Sequence, residues 1–219
     1  EVPGLILANQ GETLEDYLQK VPNPSFPADD DNIIPILDKD WFDDDITERF
    51  RKFLRVTFGE ESLTENLRFI ETSIGKTIRT YFLRDFYKDH VQTYKKRPIY
   101  WLFSSPKGSF NVLIYMHRYN RDTVSIMLDQ YLRQFKLKLS SEKEALERTE
   151  VSEGASQGEK TRAIVEIQKV NSIIRELEDW EREIIYPLAT QRIEIDLDDG
   201  VKTNYPKFGS ALTKIAGVS

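Results

Sequence analysis

The sequence predicts an α+β fold dominated by helices: a helical subdomain around a buried β-hairpin, with a long antiparallel helical hairpin extending from it. Three observations carry this. Pro98 to Phe103 and Phe110 to Met116 are apolar runs on either side of Ser105-Pro106-Lys107-Gly108-Ser109, whose Pro and Gly have turn chemistry. Two later stretches repeat apolar residues at spacings of three and four and are joined by the small-residue loop Ser152 to Gly158. Upstream of the hairpin, shorter apolar stripes follow Asp- and Ser-rich starts of the kind that cap helices.

Taken in order, Thr13 to Lys20 reads as a short helix with Thr13 as N-cap, and the prolines at 22, 24 and 27 make a linker. Ile33 to Leu37, broken by Pro35, reads as an edge strand. A helix with acidic caps at Asp43 to Asp45 carries Ile46, Phe50, Phe53, Leu54 and Phe58 on its apolar stripe and ends at Gly59. Ser62 to Glu65 has capping-box spacing and starts a second helix. A third runs from Lys76 to about Tyr94, with Ile78, Phe82, Phe86 and His90 on one stripe. After the hairpin, Asp122 or Thr123 caps a long helix that buries Val124, Leu128, Tyr131, Leu132, Phe135 and Leu139. Its partner runs from about Glu159 to Leu188 through Ile167, Val170, Ile174, Leu177, Ile184 and Leu188, with Glu181 on the seam. Arg192 to Leu197 alternates as a strand does, Val201 to Phe208 reads as extended, and Ser210 to Ile215 as one helical turn. The expected divisions are 1–32 (N-terminal segment and Pro-rich linker), 33–120 (helices plus hairpin), 121–190 (helical hairpin) and 191–219 (C-terminal strand and tail).

The 219 residues, 39% of them hydrophobic, suffice for one large domain or two small ones. There is no cysteine, which excludes disulfides and thiolate metal sites and favours an intracellular setting. No apolar run reaches the ~20 residues needed to cross a bilayer, so no membrane partner is expected. The N-terminus has neither an initiator Met nor the basic start of a signal peptide, so the chain is expected to be a piece of a longer protein. The net charge of −6 hides an asymmetry: Lys76 to Lys138 holds 13 Lys/Arg against 4 Asp/Glu. A cationic third in an acidic chain points to a polyanion, or to ion pairs inside the fold.

Catalytic motifs are absent. Asn23-Pro24-Ser25-Phe26 is similar to the Asn-Pro-Pro-aromatic signature of amino-group methyltransferases, but its third residue is Ser and no Gly-rich cofactor loop precedes it. A Pro-rich linker is the plainer reading. The Asp cluster from Asp29 to Asp45 lacks calcium-loop spacing and suits helix capping better than a metal. His90 and His117 are too few for a His-rich metal site. What remains is the cationic rim of the hairpin. Lys95, Lys96, Arg97, Lys107, Arg118 and Arg121 are the candidate phosphate contacts, and Asn111 is the one polar side chain within the second strand that can read a base edge. Tyr100, Trp101, Tyr115 and Tyr119 either stack on bases or belong to the core.

The stretch Lys95 to Ser105, with Phe110-Asn111 and Tyr115 to Tyr119, resembles the C-terminal region of PglX-type adenine-specific DNA methyltransferases of BREX phage-defence systems, which are similar to fused type II restriction-modification enzymes. Ile34-Pro35-Ile36, Asp40-Trp41-Phe42 and Arg55 to Gly59 match its upstream part. Asp198 to Lys202, Asn204-Tyr205 and Lys207 to Gly209 match its ending. The resemblance implies a parent enzyme that transfers a methyl group from S-adenosylmethionine to adenine N6 in the bacterial cytoplasm. The cofactor and catalytic motifs of that family lie upstream, so no catalytic residue and no cofactor carries over to this chain. The implied partners are double-stranded DNA, the upstream methyltransferase domain and other defence-system proteins. The implied role is DNA binding or target recognition; the alternative is a scaffold on which the methyltransferase core or another defence component docks.

Overall fold

A computed structural model describes residues 14–218. Helix α1 (Leu14–Lys20) is followed by irregular chain to strand β1 (Ile33–Pro35); Thr13 lies outside the described residues. Helices α2 (Ile46–Phe58), α3 (Leu63–Ile74), α4 (Ile78–Arg84) and α5 (Phe86–Thr93) lead into β2 (Tyr100–Ser104) and β3 (Asn111–Tyr115). The helix-dominated α+β class read from the sequence is the observed one.

The sheet is antiparallel with order β1-β3-β2. Val112, Leu113 and Ile114 of the central strand are at most 1% exposed. Pro35 sits on edge strand β1, where the missing N–H breaks no ladder bond. Residues alternate across the sheet. Trp101 and Phe103 meet Tyr205 and Phe208 edge-on at centroid distances of 4.9 to 5.8 Å. Register places Leu102, Ser104, Asn111 and Leu113 on the opposite face. The outer edge of β2 is covered by the C-terminal segment: Thr213 N donates to Leu102 O at 3.0 Å, and Phe103 bridges to Leu212.

Asp45 caps α2 by accepting from Thr47 N at 2.8 Å, and Gly59 ends the helix at φ 89°. The single helix expected over Lys76 to Tyr94 is two. Thr77 caps α4, and the chain turns at Asp85 before α5. His90 stays on its expected stripe, buried, its Nε2 accepting from Tyr100 N at 3.1 Å, and burial lowers its pKa. α3 starts where expected, but Ser62 makes no capping bond; a 3₁₀ turn over Glu60–Ser62 supplies the entry instead.

The two long helices each carry a π turn. The first runs from α6 (Thr123–Ile126) through a π segment (Met127–Leu132) into α7 (Arg133–Val151). The second runs from α8 (Gln157–Trp180) through a π segment (Glu181–Ile185) into α9 (Tyr186–Gln191). All six side chains expected on the first buried face are buried. On the second helix the π turn inserts a residue, so Ile185 enters the core and Ile184 stays half-buried. That shift also resolves the seam glutamate: Glu181 holds Arg133 at 2.8 Å and Lys136 at 2.5 Å across the hairpin. It belongs to the contact between the helices and is no exposed docking position. Neither Asp122 nor Thr123 caps in the ordinary way; Asn120 turns the chain by accepting from Asp122 N, while Thr123 Oγ1 accepts from Asn120 N. Ser156 and Glu159 form a full capping box at the start of α8.

The ending departs most from expectation. Ile193 to Asp196 forms no strand, because the Leu212–Thr213 segment already holds the free edge of β2. Val201 to Phe208 is helical, as α10 (Val201–Asn204) and a 3₁₀ turn over Tyr205–Ala211.

The linker before β1 is tied down by its acids. Asp29 Oδ1 accepts from Asn32 N at 2.8 Å, and Tyr131 donates to Asp31 and Asp44 at 2.8 and 2.6 Å. Burial, then the hydrogen bond with Asp31, raises the Asp29 pKa from 3.8 to about 6. Between those values the native state keeps a proton that the unfolded chain has released, so stability falls as pH rises through that window. Burial shifts Asp44 and Asp45 the same way. Asp29→Asn should therefore gain on the wild type as pH rises from about 4 to 6, measured as the difference in melting temperature. A difference that is flat with pH would assign the titration to another group.

Candidate nucleic-acid interface

The cations of the basic third divide into two sets. The first is engaged within the fold. Lys76 pairs with Asp85 at 2.6 Å, Arg79 with Asp40 and Asp45, and Lys136 with Glu181. Lys138 donates to the Trp41 carbonyl and lies over the Phe42 ring. Of the sequence candidates, Arg118 donates to the carbonyls of Asp29 and Asp30 at 2.5 and 3.0 Å, anchoring the linker. Arg121 pairs with Glu194 in the open. The Asn111 amide donates to Gly108 O at 2.8 Å and holds the hairpin turn, where Gly108 has φ 71°. The aromatic candidates are engaged too: Trp101 is buried with its N–H on Pro98 O, and the Tyr119 hydroxyl donates to Ile193 O.

The second set has no acidic partner within 4 Å among the described residues. Arg84, Lys88, Lys96, Lys107 and Lys214 are exposed and line one groove of about 830 Å³. Arg84 and Lys88 stand on α4 and α5, Lys107 on the hairpin turn, and Lys214 on the C-terminal segment. Ile36, Leu102 and Ile215 contribute apolar lining, and Gln92 and Thr213 polar lining. Among the described residues, no Asp or Glu lines it. Unpaired cations occur elsewhere on the chain, but the absence of any carboxylate marks this groove.

Lys96 also lines a neighbouring concavity of about 660 Å³ with Lys95, Arg97 and Lys202, where Asp199 is the one acid among the described residues. Lys95 and Lys96 hold φ of 50° and 63°, a left-handed pair in side-chain-bearing residues. Such strain costs ~1–3 kcal/mol per residue and gathers at functional sites. Here it ends α5 and turns the exposed Lys95-Lys96-Arg97 segment into β2, with Lys96 N donating to Val91 O at 2.8 Å.

Of the sequence candidates, Lys96 and Lys107 lie at the groove and Lys95 and Arg97 beside it, while Arg118, Arg121 and Asn111 have internal partners. Sequence reasoning missed Arg84, Lys88, Lys202 and Lys214. Arg84, Lys88 and Gln92 recur every four residues, opposite the apolar stripe through Phe82, Phe86 and His90, so that part was legible. Lys214 carries no signal of its own; only the pairing of Thr213 with Leu102 brings it to the groove.

Lys107 is positioned by a buried carboxylate. Glu176 of α8 is 8% exposed; its Oε1 accepts from Ser105 Oγ at 2.6 Å and Lys107 N at 2.7 Å, and its Oε2 from Ser109 Oγ at 2.6 Å. Glu176→Gln removes the charge that strengthens these bonds and replaces one acceptor oxygen with an NH₂ that only a reoriented Ser hydroxyl can accept. The expected outcome is a loss of ~1–3 kcal/mol in chemical denaturation, a size that distinguishes a buried clamp from a surface contact.

No family model matches the chain. It is 38% identical over 231 aligned positions to the adenine-specific methyltransferase BrxX of Escherichia coli O9:H4 (strain HS), covering 99% of this chain and 19% of that protein. It is 36% identical over 226 positions to the adenine-specific methyltransferase PglX of Lacticaseibacillus casei (strain Zhang), covering 98% of this chain and 18% of that protein. The chain therefore spans about a fifth of the length of the curated relatives it matches.

Proposed function

We propose, from the premise that this chain is related over nearly its whole length to PglX-type adenine-specific methyltransferases, that it is the non-catalytic C-terminal region of such an enzyme and contributes to its grip on DNA. The observation that supports this reading is the collection of unpaired cations around a groove without carboxylates. A polyanion neutralises them and releases counterions, which is the main source of sequence-independent DNA affinity. In this reading the parent enzyme methylates adenine N6 with S-adenosylmethionine in a bacterial phage-defence system. The cofactor belongs to another part of that enzyme. The described sheet is antiparallel, unlike the parallel strand–loop–helix unit that cradles such cofactors, which supports a cofactor site elsewhere in that enzyme.

Lys95 and Arg97 of the exposed turn are the part that meets the duplex backbone. In the full-length methyltransferase, Lys95→Glu with Arg97→Glu should weaken binding of a labelled duplex in fluorescence anisotropy. It should also flatten the dependence of log affinity on log salt by ~0.9 for each phosphate that is no longer neutralised. Unchanged affinity and slope would remove this turn from the interface.

A second reading has its own observation. The helical hairpin leaves Leu137, Val151 and Val165 at 60%, 76% and 56% exposed. These apolar side chains suit docking of the methyltransferase core or another defence protein. Leu137→Asp with Val165→Asp should then break co-purification of the partner while DNA affinity is kept; intact co-purification would discard the scaffold role.

A further inference from the structure

We infer that the groove between α4–α5 and the C-terminal segment takes an unpaired nucleic-acid strand and not a duplex. The inference rests on the DNA-binding reading above and deepens it. The groove has cations on both walls, Arg84 and Lys88 on the helical side and Lys214 on the other, and Lys96 and Lys107 also line it. Lys96 directly precedes the Arg97–Ile99 lead-in to β2, and Lys107 follows β2 in the hairpin turn. A five-residue strand spans ~17 Å, so the two lysines mark a path along the strand.

The lining between the cations decides the ligand. Ile36, Leu102, Val91 and Ile215 make it largely apolar. A duplex hides its base faces in the stack and turns sugar and phosphate outward, so beyond thymine methyls and sugar edges in its grooves it has little apolar area to set against such a surface. The motifs that read duplexes are convex, a helix or ribbon entering a major groove ~12 Å wide. Here α4 and α5 instead form the wall of a concavity. An unpaired strand offers both chemistries at once: base faces for the apolar lining and phosphates for the flanking cations. Gln92 and Thr213 line the same groove, with side chains that have no hydrogen-bond partner among the described residues, and they face the ligand as donors and acceptors for base edges. An enzyme that modifies a base inside DNA must take it out of the stack, and a strand-holding groove suits that need.

The test uses the full-length methyltransferase that carries this chain, with Lys88→Glu and Lys214→Glu combined. Both side chains are exposed and unpaired, and neither belongs to the Lys95–Arg97 turn assigned to the duplex. The probes are a labelled oligonucleotide of ~20 nucleotides, longer than the ~4–16 that such grooves occupy, and the same sequence as a duplex. The expected result is a loss of about tenfold or more in strand affinity, with duplex affinity held within about threefold. The log–log salt slope for the strand should flatten by ~0.7 for each of the two phosphates released. Strand affinity that does not change, or duplex affinity that falls as far, overturns the inference. Wild-type protein that binds neither probe removes the DNA-binding reading with it. Wild-type protein that binds the duplex but not the single strand leaves that reading standing and removes this one. If the charge reversal unfolds the protein, Lys88→Gln with Lys214→Gln applies the same criteria with a smaller perturbation.

Discussion

Strand β3 is the constraint on which the structure is built. Its central residues are shut away from water on both faces, so every backbone N–H and C=O there needs a partner in the protein. β1 and β2 supply them from either side. Both neighbours are short, and each leaves an open edge of its own. On the β1 side the sequence meets this with Pro35, and on the β2 side with the pairing of Thr213 and Leu212. The C-terminal segment is therefore part of the sheet's hydrogen-bond accounting. Its chemistry follows from that position, because edge pairing is what carries Lys214 to the wall opposite Arg84 and Lys88.

The same sheet explains why the two long helices lie where they do. Phe110, at the entry to β3, packs against Phe135 and Trp180, one from each long helix, at 5.8 and 6.1 Å. Glu176, one turn before Trp180, reaches the hairpin tip from the same helix. An apolar contact and a buried carboxylate thus lock the helical hairpin to the β-hairpin at neighbouring points. Removing an acceptor from buried donors exposes their full desolvation cost, so the clamp fixes the tip, and with it Lys107, more firmly than loop packing alone.

Much of this was legible. The hairpin, the edge strand with its proline, and the buried face from Val124 to Leu139 follow from period and turn chemistry, which act locally. What was not legible depends on partners distant in sequence. Arg192 to Leu197 has the alternation of a strand but finds no free edge. Asp85 breaks a stripe that periodicity alone would carry through. The π turn after Trp180 shifts the seam by one residue, and only the facing Arg133 and Lys136 explain why Glu181 is tolerated there. For the site, composition located the cationic third but not which cations were free. Arg118 and Lys107 look alike in sequence; one is bonded to the linker carbonyls and the other stands at the groove.

That division bears on the energetics of the groove. Two unit charges ~10 Å apart in water repel by only ~0.4 kcal/mol, and physiological salt screens them further over a Debye length of ~8 Å. Five cations around an open groove are therefore a small burden on a fold with a buried three-stranded sheet, and no compensating carboxylate is needed. The same screening sets the range at which the groove acts. It has little reach into solution, and its cations count only once a polyanion is close enough to shed its own counterions. In a chain with a net charge of −6, the acidic remainder of the surface repels a nucleic acid that approaches elsewhere. Under the proposed DNA-binding role, the uneven distribution of charge favours the orientation that brings the polyanion to the groove.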